Sequence, residues 1–101
     1  MLCMESLKLP EDYRQDVDTA SALLKSEGCG AVYLFGSLVT GHLHKHSDID
    51  IGISGLPEKK FFKVYAKLDD RLTKKVDLVD FDENKDFFAL LNSLGEVVKI
   101  G

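Results

Sequence analysis

The stretch FGSLVTGHLHKHSDID, residues 35–50, joins the two features that decide the fold. It begins with a glycine and a serine that follow the apolar run AVYLF, and it ends with two aspartates separated by one isoleucine. Residues 31–36 are apolar and aromatic, which predicts a short buried strand. Residues 48–54, DIDIGIS, alternate strictly, which predicts a second strand. Between the strands, residues 37–41 have room for one or two helical turns, and residues 42–47 are typical of a polar loop.

The alternation in the second strand places two carboxylates on one of its faces. Ile49, Ile51 and Ile53 share the opposite face. Asp48 and Asp50 lie two residues apart, so their Cα atoms are roughly 6.5–7 Å apart and their side chains can converge. Two unpaired carboxylates repel each other, so this arrangement persists most easily around a cation. Oxygen ligands without histidine or thiolate favour Mg²⁺ or Mn²⁺.

A third carboxylate belongs to the segment KVDLVDF, residues 75–81, which predicts a third strand. Asp77 lies there between Val76 and Leu78, in an apolar segment where a charged side chain is unusual and suggests a functional role. If this strand neighbours the second one, Asp77 can join the other two aspartates. Three carboxylates on adjacent strands can hold two metal ions about 3.5–4 Å apart, which is the arrangement for in-line phosphoryl displacement.

The glycine and serine at the end of the first strand favour an anion. A strand that ends at Gly36 and passes into a helix at Ser37 exposes free backbone N–H groups, and the helix dipole adds to their effect. Gly36 has no side chain, so a phosphate could approach the backbone closely. An anion site beside a metal site is what a nucleoside triphosphate with Mg²⁺ requires.

The rest of the chain predicts helices that alternate with strands. One helix begins after Pro10, a second begins at Pro57, a third covers about residues 83–94, and a last strand covers residues 96–100. This order predicts an α/β or α+β fold with one mixed sheet flanked by helices. With 101 residues, we expect a single domain over residues 1–101.

Charge and composition exclude several classes of protein. The chain has 13 basic and 17 acidic residues and a net charge of −4, which argues against direct nucleic-acid binding and against a membrane-surface protein. No apolar run approaches the ~18 residues that span a bilayer. The N-terminus lacks the pattern of a signal peptide. Cys3 and Cys29 form no metal-spaced pair, so we expect a reduced, cytoplasmic protein.

The order of these features resembles the signature of the DNA polymerase β-type nucleotidyltransferase superfamily. The Gly-Ser pair at residues 36–37 is followed by ten residues and then by Asp-Ile-Asp at residues 48–50. A second glycine at Gly41, the segment KVDLV around Asp77 and the closing LLNSLGEVVKIG fall in the order that the superfamily has. At this length the chain resembles the minimal nucleotidyltransferases (MNT), the antitoxin half of bacterial HEPN/MNT toxin–antitoxin pairs.

The resemblance implies a role for each matching residue. Asp48 and Asp50 would bind the metal ions, Mg²⁺ or Mn²⁺. Asp77 would complete the metal site and help to activate the attacking hydroxyl. Gly36 and Ser37 would hold the β- and γ-phosphates of ATP. The implied activity is transfer of AMP from ATP to a hydroxyl, with a tyrosine of a partner HEPN toxin as the expected acceptor.

The chain departs from the superfamily at one place. Many members have arginines directly after the Gly-Ser pair, whereas residues 38–40 are LVT here. Lys45, Lys74 and Lys75 are the candidates for the missing positive charge. Two alternative functions stay open beside the implied one: a non-catalytic antitoxin that acts by binding, and a nucleotidyltransferase that acts on a small-molecule hydroxyl.

Simpler explanations exist for several of these residues. The aspartates could face solvent on a one-sided sheet, and Ser37 could be only a helix N-cap. The three alternating histidines, His42, His44 and His46, could suggest zinc, but a solvated loop beside the nucleotide is the preferred interpretation. The pairs at residues 61–62 and 87–88, each Phe-Phe, are expected in the core, with one of each pair available to a partner.

Overall fold

The computed structural model of the chain describes residues 8–42 and 47–101, together with the backbone of residues 2 and 3. Within these residues the chain forms five strands and four α-helices, so the predicted α/β architecture is confirmed. In chain order the elements are β1 (Leu2–Cys3), α1 (Glu11–Ser26), β2 (Ala31–Phe35), α2 (Ser37–Thr40), β3 (Ile49–Ser54), a 3₁₀ turn (Glu58–Lys60), α3 (Phe61–Arg71), β4 (Val76–Asp80), α4 (Lys85–Leu94) and β5 (Val97–Lys99).

The five strands make one mixed sheet in the order β1-β5-β2-β3-β4. β2 runs antiparallel to both of its neighbours, β3 and β5. β3 and β4 run parallel, and so do β1 and β5. The sequence analysis did not predict β1, and β4 is the edge strand on the other side of the sheet. Among the described elements, no helix is both long enough and apolar enough to cross a membrane.

The main core lies on the sheet face that carries the isoleucines of β3. Ile49, Ile51 and Ile53 are fully buried there, as the alternation predicts. The apolar stripes of α1 and α3 cover them, through residues such as Val17 and Leu68. Burial of this kind is the dominant favourable contribution to folding.

A second, smaller cluster lies on the opposite face of the sheet, where α4 packs. Phe81 is its centre: its ring stacks on Phe88 with centroids 4.6 Å apart and contacts Phe35 at 5.6 Å. Gly52 of β3 lies beneath this ring, and a Cβ at position 52 would overlap the Phe81 ring. The glycine in β3 is therefore explained by close packing.

Two helix starts differ from the sequence predictions. The helix predicted to begin at Pro57 is α3, which is preceded by the 3₁₀ turn and becomes α-helical at Phe61. The helix predicted to begin at about residue 83 is α4. It begins at Lys85, two residues later than expected, because the Asn84 side chain instead donates a 2.8 Å hydrogen bond to the carbonyl of Asp80.

In the two phenylalanine pairs, Phe62 is 81% exposed and Phe87 is 40% exposed, whereas their neighbours are partly buried. A partner interface at the exposed members stays a prediction.

Candidate active site

The sheet topology brings the three segments of the predicted site together at one end of the strands. β2 is antiparallel to β3, so its C-terminal end lies beside the start of β3, and Phe35 pairs with Asp50. β3 is parallel to β4, and Asp50 pairs with Asp77. Directly paired residues point to the same face of a sheet. Asp50 and Asp77 therefore lie side by side, next to the Gly36-Ser37 turn that leaves β2.

The electrostatics of Asp50 reflect this crowding. Burial, followed by the negative charges of Asp77 and Asp48 and a hydrogen bond with Asp77, raises the pKa of Asp50 to about 6. A hydrogen bond between two carboxyl groups requires a proton on one of them. Asp48 lies directly before β3, half-buried, and is near enough to act through its charge.

The donor chemistry at this point fits a divalent cation. A cation that replaces the proton shared by Asp50 and Asp77 would offset the repulsion between their two negative charges. An all-oxygen donor set suits Mg²⁺ or Mn²⁺. In residues 8–42 and 47–101, however, no group of three His, Cys, Asp or Glu side chains is assembled as a complete metal site. Asp50 and Asp77 form the core of the candidate site, and Asp48 would have to turn toward them to complete it.

Gly36 has a neighbour that sequence reasoning did not anticipate. Its backbone has φ +75°, and a Cβ at this position would overlap Oδ2 of Asp50 and lie 3.0 Å from the Asp50 Cγ. The sequence analysis explained this glycine by the approach of a phosphate. The structure shows that the carboxylate of Asp50 already lies against it, so a glycine is needed even without a nucleotide.

The short helix α2 begins directly after this glycine. Gly36 occupies the N-cap position, and its carbonyl accepts hydrogen bonds of 3.0 Å from the N–H groups of Val39 and Thr40. Ser37 is the first helical residue and does not occupy the N-cap, which removes the simpler explanation of this serine. Leu38 is buried and anchors the helix in the main core. Phosphate binding by residues 36 and 37 stays a prediction.

Two residues of α1 hold the segments that lead into the aspartates. The Tyr13 hydroxyl donates a 2.7 Å hydrogen bond to the carbonyl of Ser47, directly before Asp48. The buried carboxylate of Asp16 accepts hydrogen bonds from the backbone N–H of Thr73 at 3.0 Å and of Lys74 at 2.8 Å. The Thr73 hydroxyl donates to Asp16 as well, at 2.9 Å. α1 thus fixes both the segment before β3 and the segment before β4.

Sequence reasoning missed Tyr13 and Asp16. A signal was present, because both lie on the helix face that also carries Val17 and Ala20, where a buried acid needs hydrogen-bond donors. The sequence does not say which distant segment supplies those donors. The two residues contact partners 34 and 57 positions away along the chain.

The candidates for the missing positive charge are only partly placed. Lys74 pairs with Asp12 at 2.7 Å, and its Nζ lies 5.1 Å from the centre of the Tyr13 ring. The hydrogen bond to Asp12 raises the pKa of Lys74, so this lysine is engaged with α1. Lys75 is exposed. Lys45 lies outside the described residues.

Of the three histidines, only His42 is described. It is exposed, and its Nδ1 lies 3.2 Å from the hydroxyl of Thr40. His44 and His46 lie outside the described residues, and so the alternative of a zinc site there stays untested.

Comparisons with known proteins point to one family. The family model "Polymerase beta, Nucleotidyltransferase" matches residues 18–98, which include both Gly36-Ser37 and the three aspartates. No curated protein matches the sequence of the chain.

Several solved structures resemble the chain. A toxin-antitoxin crystallised with AMP-PNP contains a chain that is 29% identical, with 72% of this chain and 59% of that chain covered and a TM-score of 0.53. A mutant of the toxin-antitoxin MntA-HpeT is 31% identical over 74% of this chain and 58% of that chain, with a TM-score of 0.53. A third structure is the tri-AMPylated Shewanella oneidensis HEPN toxin in complex with MNT antitoxin, 27% identical over 68% of this chain and 56% of that chain, with a TM-score of 0.50.

The similarity covers only part of each of these relatives. It spans between 56% and 59% of the length of the three solved chains. The family model covers most of the present chain and includes β2, α2, β3 and β4, which carry the residues of the candidate site. The chain therefore belongs to the polymerase beta family of nucleotidyltransferases.

Proposed function

We propose that this protein transfers AMP from ATP to a hydroxyl group of a partner protein, with a tyrosine of a HEPN toxin as the acceptor. The observation that carries this proposal is the register of the sheet. It places Asp50 and Asp77 side by side at the edge where β2 ends in Gly36-Ser37. Carboxylates next to an anion-binding turn are what a triphosphate with its divalent cation requires. Because the reaction uses ATP, we expect it to occur in the cytoplasm.

Asp48, Asp50 and Asp77 would hold the divalent cations, Mg²⁺ or Mn²⁺. When bound, the cations would supply charge stabilisation for the attacking and leaving oxygens. Gly36 and Ser37 would orient the β- and γ-phosphates through the backbone at the start of α2.

The transfer is a substitution at the α-phosphorus of ATP. The acceptor oxygen attacks the α-phosphorus, the bond to the bridging oxygen of the β-phosphate breaks, and pyrophosphate leaves. Asp77 would accept the proton of the attacking hydroxyl. The chain's other contribution is positioning: α1 fixes both the segment before Asp48 and the segment before Asp77, which would hold the carboxylates in place for the reaction.

Relatives support the choice of donor and partner. One solved relative is a toxin-antitoxin with AMP-PNP, and another is a tri-AMPylated HEPN toxin with its MNT antitoxin. The same chemistry in this chain would need an acceptor hydroxyl that another protein brings to the carboxylates.

The test is intact-mass spectrometry of a candidate HEPN partner after incubation with this protein, ATP and Mg²⁺. Each transferred AMP should add ~329 Da, as follows from AMP transfer onto a hydroxyl. The variant Asp77→Asn should abolish the mass increase. Asp69→Asn is the matched control, because Asp69 is an exposed acid on α3, the helix that packs on the isoleucine face of the sheet, opposite to the carboxylates.

Two outcomes would favour the alternatives. An unmodified partner whose toxicity is still neutralised by Asp77→Asn would indicate an antitoxin that acts by binding alone. Transfer of AMP to a small hydroxyl compound without any protein partner would indicate a small-molecule nucleotidyltransferase.

A further inference from the structure

The edge strand β4 has an outer side that no other strand covers in the described part of the chain. Its pairing with β3 begins where Ile49 N–H donates to the Lys75 carbonyl at 2.9 Å, and it ends where Phe81 N–H donates to the Ile53 carbonyl at 2.8 Å. In a parallel pair, alternate residues of one strand bond to a given neighbour. Residues 75, 77, 79 and 81 thus bond to β3, and residues 76, 78 and 80 direct their N–H and C=O groups outward.

Side chains satisfy the carbonyls at both ends of this outer edge. The Tyr65 hydroxyl donates to the Val76 carbonyl at 3.0 Å, and the Asn84 side chain donates to the Asp80 carbonyl at 2.8 Å. Between them lies Leu78. Because β4 pairs only with β3 in the described sheet, the N–H and C=O of Leu78 face outward without a strand partner. Leu78 therefore presents an open donor and an open acceptor at the centre of the edge, between two carbonyls that already have partners.

An apolar cavity opens beside these two groups. It has a volume of about 360 Å³ and lies between the beginning of α3 and the turn before α4. Its apolar lining residues are Phe61, Phe62, Leu78 and Val79. The Phe62 side chain is 81% exposed, although it is among the largest apolar side chains in the protein. An exposed apolar surface of this kind next to open backbone groups is typical of an interaction site.

The charge of the cavity rim selects among possible occupants. Glu58, Asp80 and Glu83 line it, and no lysine or arginine is among its described lining residues. Pairing with a second copy of the chain through β4 would bring two such acidic rims together, and like charges at close range disfavour that. The rim fits an occupant that carries positive charge.

We propose that this cavity, the β4 edge groove, binds an extended segment of a partner protein in which apolar and basic residues alternate. The segment adds a short strand to β4 through the N–H and C=O of Leu78. Its apolar side chains contact Phe62, and its lysines or arginines pair with Glu58, Asp80 and Glu83. The proposal concerns a separate surface and does not depend on AMP transfer.

The groove can be filled while the candidate active site stays accessible. Asp77 lies near the start of β4, whereas Asp80 lies at its end, roughly 10 Å further along the strand. A partner held at the groove would therefore be retained beside the carboxylates without covering them.

The first experiment uses the whole protein and a fluorescent peptide of alternating valine and lysine, with fluorescence anisotropy as the readout. We expect saturable binding that weakens with salt, and no binding of a peptide of alternating valine and glutamate. Phe62→Ser should weaken binding at least about tenfold, the loss expected when one buried aromatic anchor is removed. Leu90→Ser is the matched control, because Leu90 is an exposed apolar residue on α4, 53% exposed.

Hydrogen exchange of backbone amides tests the strand geometry directly. Addition of the lysine peptide should slow exchange at Leu78, whose N–H faces outward. It should change exchange little at Val79, whose N–H already donates to β3. This alternation distinguishes strand addition from adhesion to the acidic rim.

Four results would overturn the proposal. They are equal binding of the lysine and glutamate peptides, unchanged affinity in a folded Phe62→Ser protein, unchanged exchange at Leu78 in the saturated complex, and no binding at all. Sedimentation would reveal self-association, and a dimer that Phe62→Ser dissociates would replace the proposed partner with a second copy. Melting curves by circular dichroism establish that each variant is folded.

Discussion

The two faces of β3 differ in what their side chains do, although they alternate along one short strand. Ile49, Ile51 and Ile53 point into the main core and are fully buried. Asp50 points to the other face, where burial and neighbouring carboxylates raise its pKa to about 6. One face therefore contributes stability, and the other holds like charges together at a cost in stability. The comparison teaches that one strand can supply the rigidity that the repelling carboxylates need.

The largest difference between the two faces should appear in activity. Asp50→Asn should lower the rate of AMP transfer about a thousandfold or more, because it removes a carboxylate that, in the proposed function, would hold the cations that stabilise charge in the transition state. The protein should remain folded. The measurement is the initial rate of the mass increase on the partner, with Asp69→Asn as control. A rate above one tenth of the wild-type rate would contradict the assignment of this residue.

Stability should respond most strongly to changes on the isoleucine face. Ile51→Ala should lower the free energy of unfolding by about 2–5 kcal/mol, because it leaves a cavity among fully buried neighbours. Urea denaturation followed by circular dichroism measures this loss. Leu90→Ala, on the exposed side of α4, serves as comparison and should cost far less. A loss below about 1 kcal/mol for Ile51→Ala would break the distinction between the faces.

The contacts from α1 should affect both stability and the site. Asp16→Asn should lower the free energy of unfolding by about 1–3 kcal/mol, because the amide group cannot accept all the hydrogen bonds that Thr73 and Lys74 donate. We also expect weaker Mn²⁺ binding, since the segment before Asp77 loses its support. Calorimetric titration with Mn²⁺, on folded protein, checks this. Unchanged Mn²⁺ affinity would restrict Asp16 to a structural role.

The smallest effect should be a gain of stability at the carboxylates. The ordinary pKa of an aspartate is 3.8, and that of Asp50 in the folded protein is about 6, so the folded state binds this proton more tightly. The contribution of Asp50 to stability is therefore largest below about pH 4 and is lost as the pH rises through about 6. Without divalent metal, Asp50→Asn should raise the free energy of unfolding at pH 8 by about 1 kcal/mol, a value discounted for partial solvent exposure.

Unfolding curves at pH 4 and pH 8 would measure this effect. The stabilisation by Asp50→Asn should be smaller at pH 4 than at pH 8. An equal effect at both values would mean that charge repulsion is not its cause.

Local patterns in the sequence were sufficient for most of the elements, but the pairing of Asp50 with Asp77 depended on a strand adjacency that the sequence analysis could only assume. The alternation in residues 48–54 placed the isoleucines and Asp50 on opposite faces. The charge of Asp77 in an apolar strand marked it as a candidate, and the parallel pairing of β3 with β4 brings it beside Asp50. β1 was missed because two residues carry no periodicity. The start of α4 was placed too early because the hydrogen bond from Asn84 to Asp80 competes with the helix.

The support from α1 was beyond the reach of local reasoning. The partners of Tyr13 and Asp16 are distant in the sequence, and only the packed sheet brings them together. The close approach of Asp50 to Gly36 depends on the register of two antiparallel strands, which the sequence does not fix by itself. Long-range contacts of this kind decide the geometry of the site.

The contact between Gly36 and Asp50 also has a genetic consequence. Every missense change that a single base substitution makes in a glycine codon adds a Cβ, and at position 36 that atom would overlap a carboxylate oxygen of Asp50. The codon for residue 36 therefore has no conservative replacement. In a library of random mutants that is selected for function, this codon should retain glycine alone, even though the residue contributes no side chain to the chemistry.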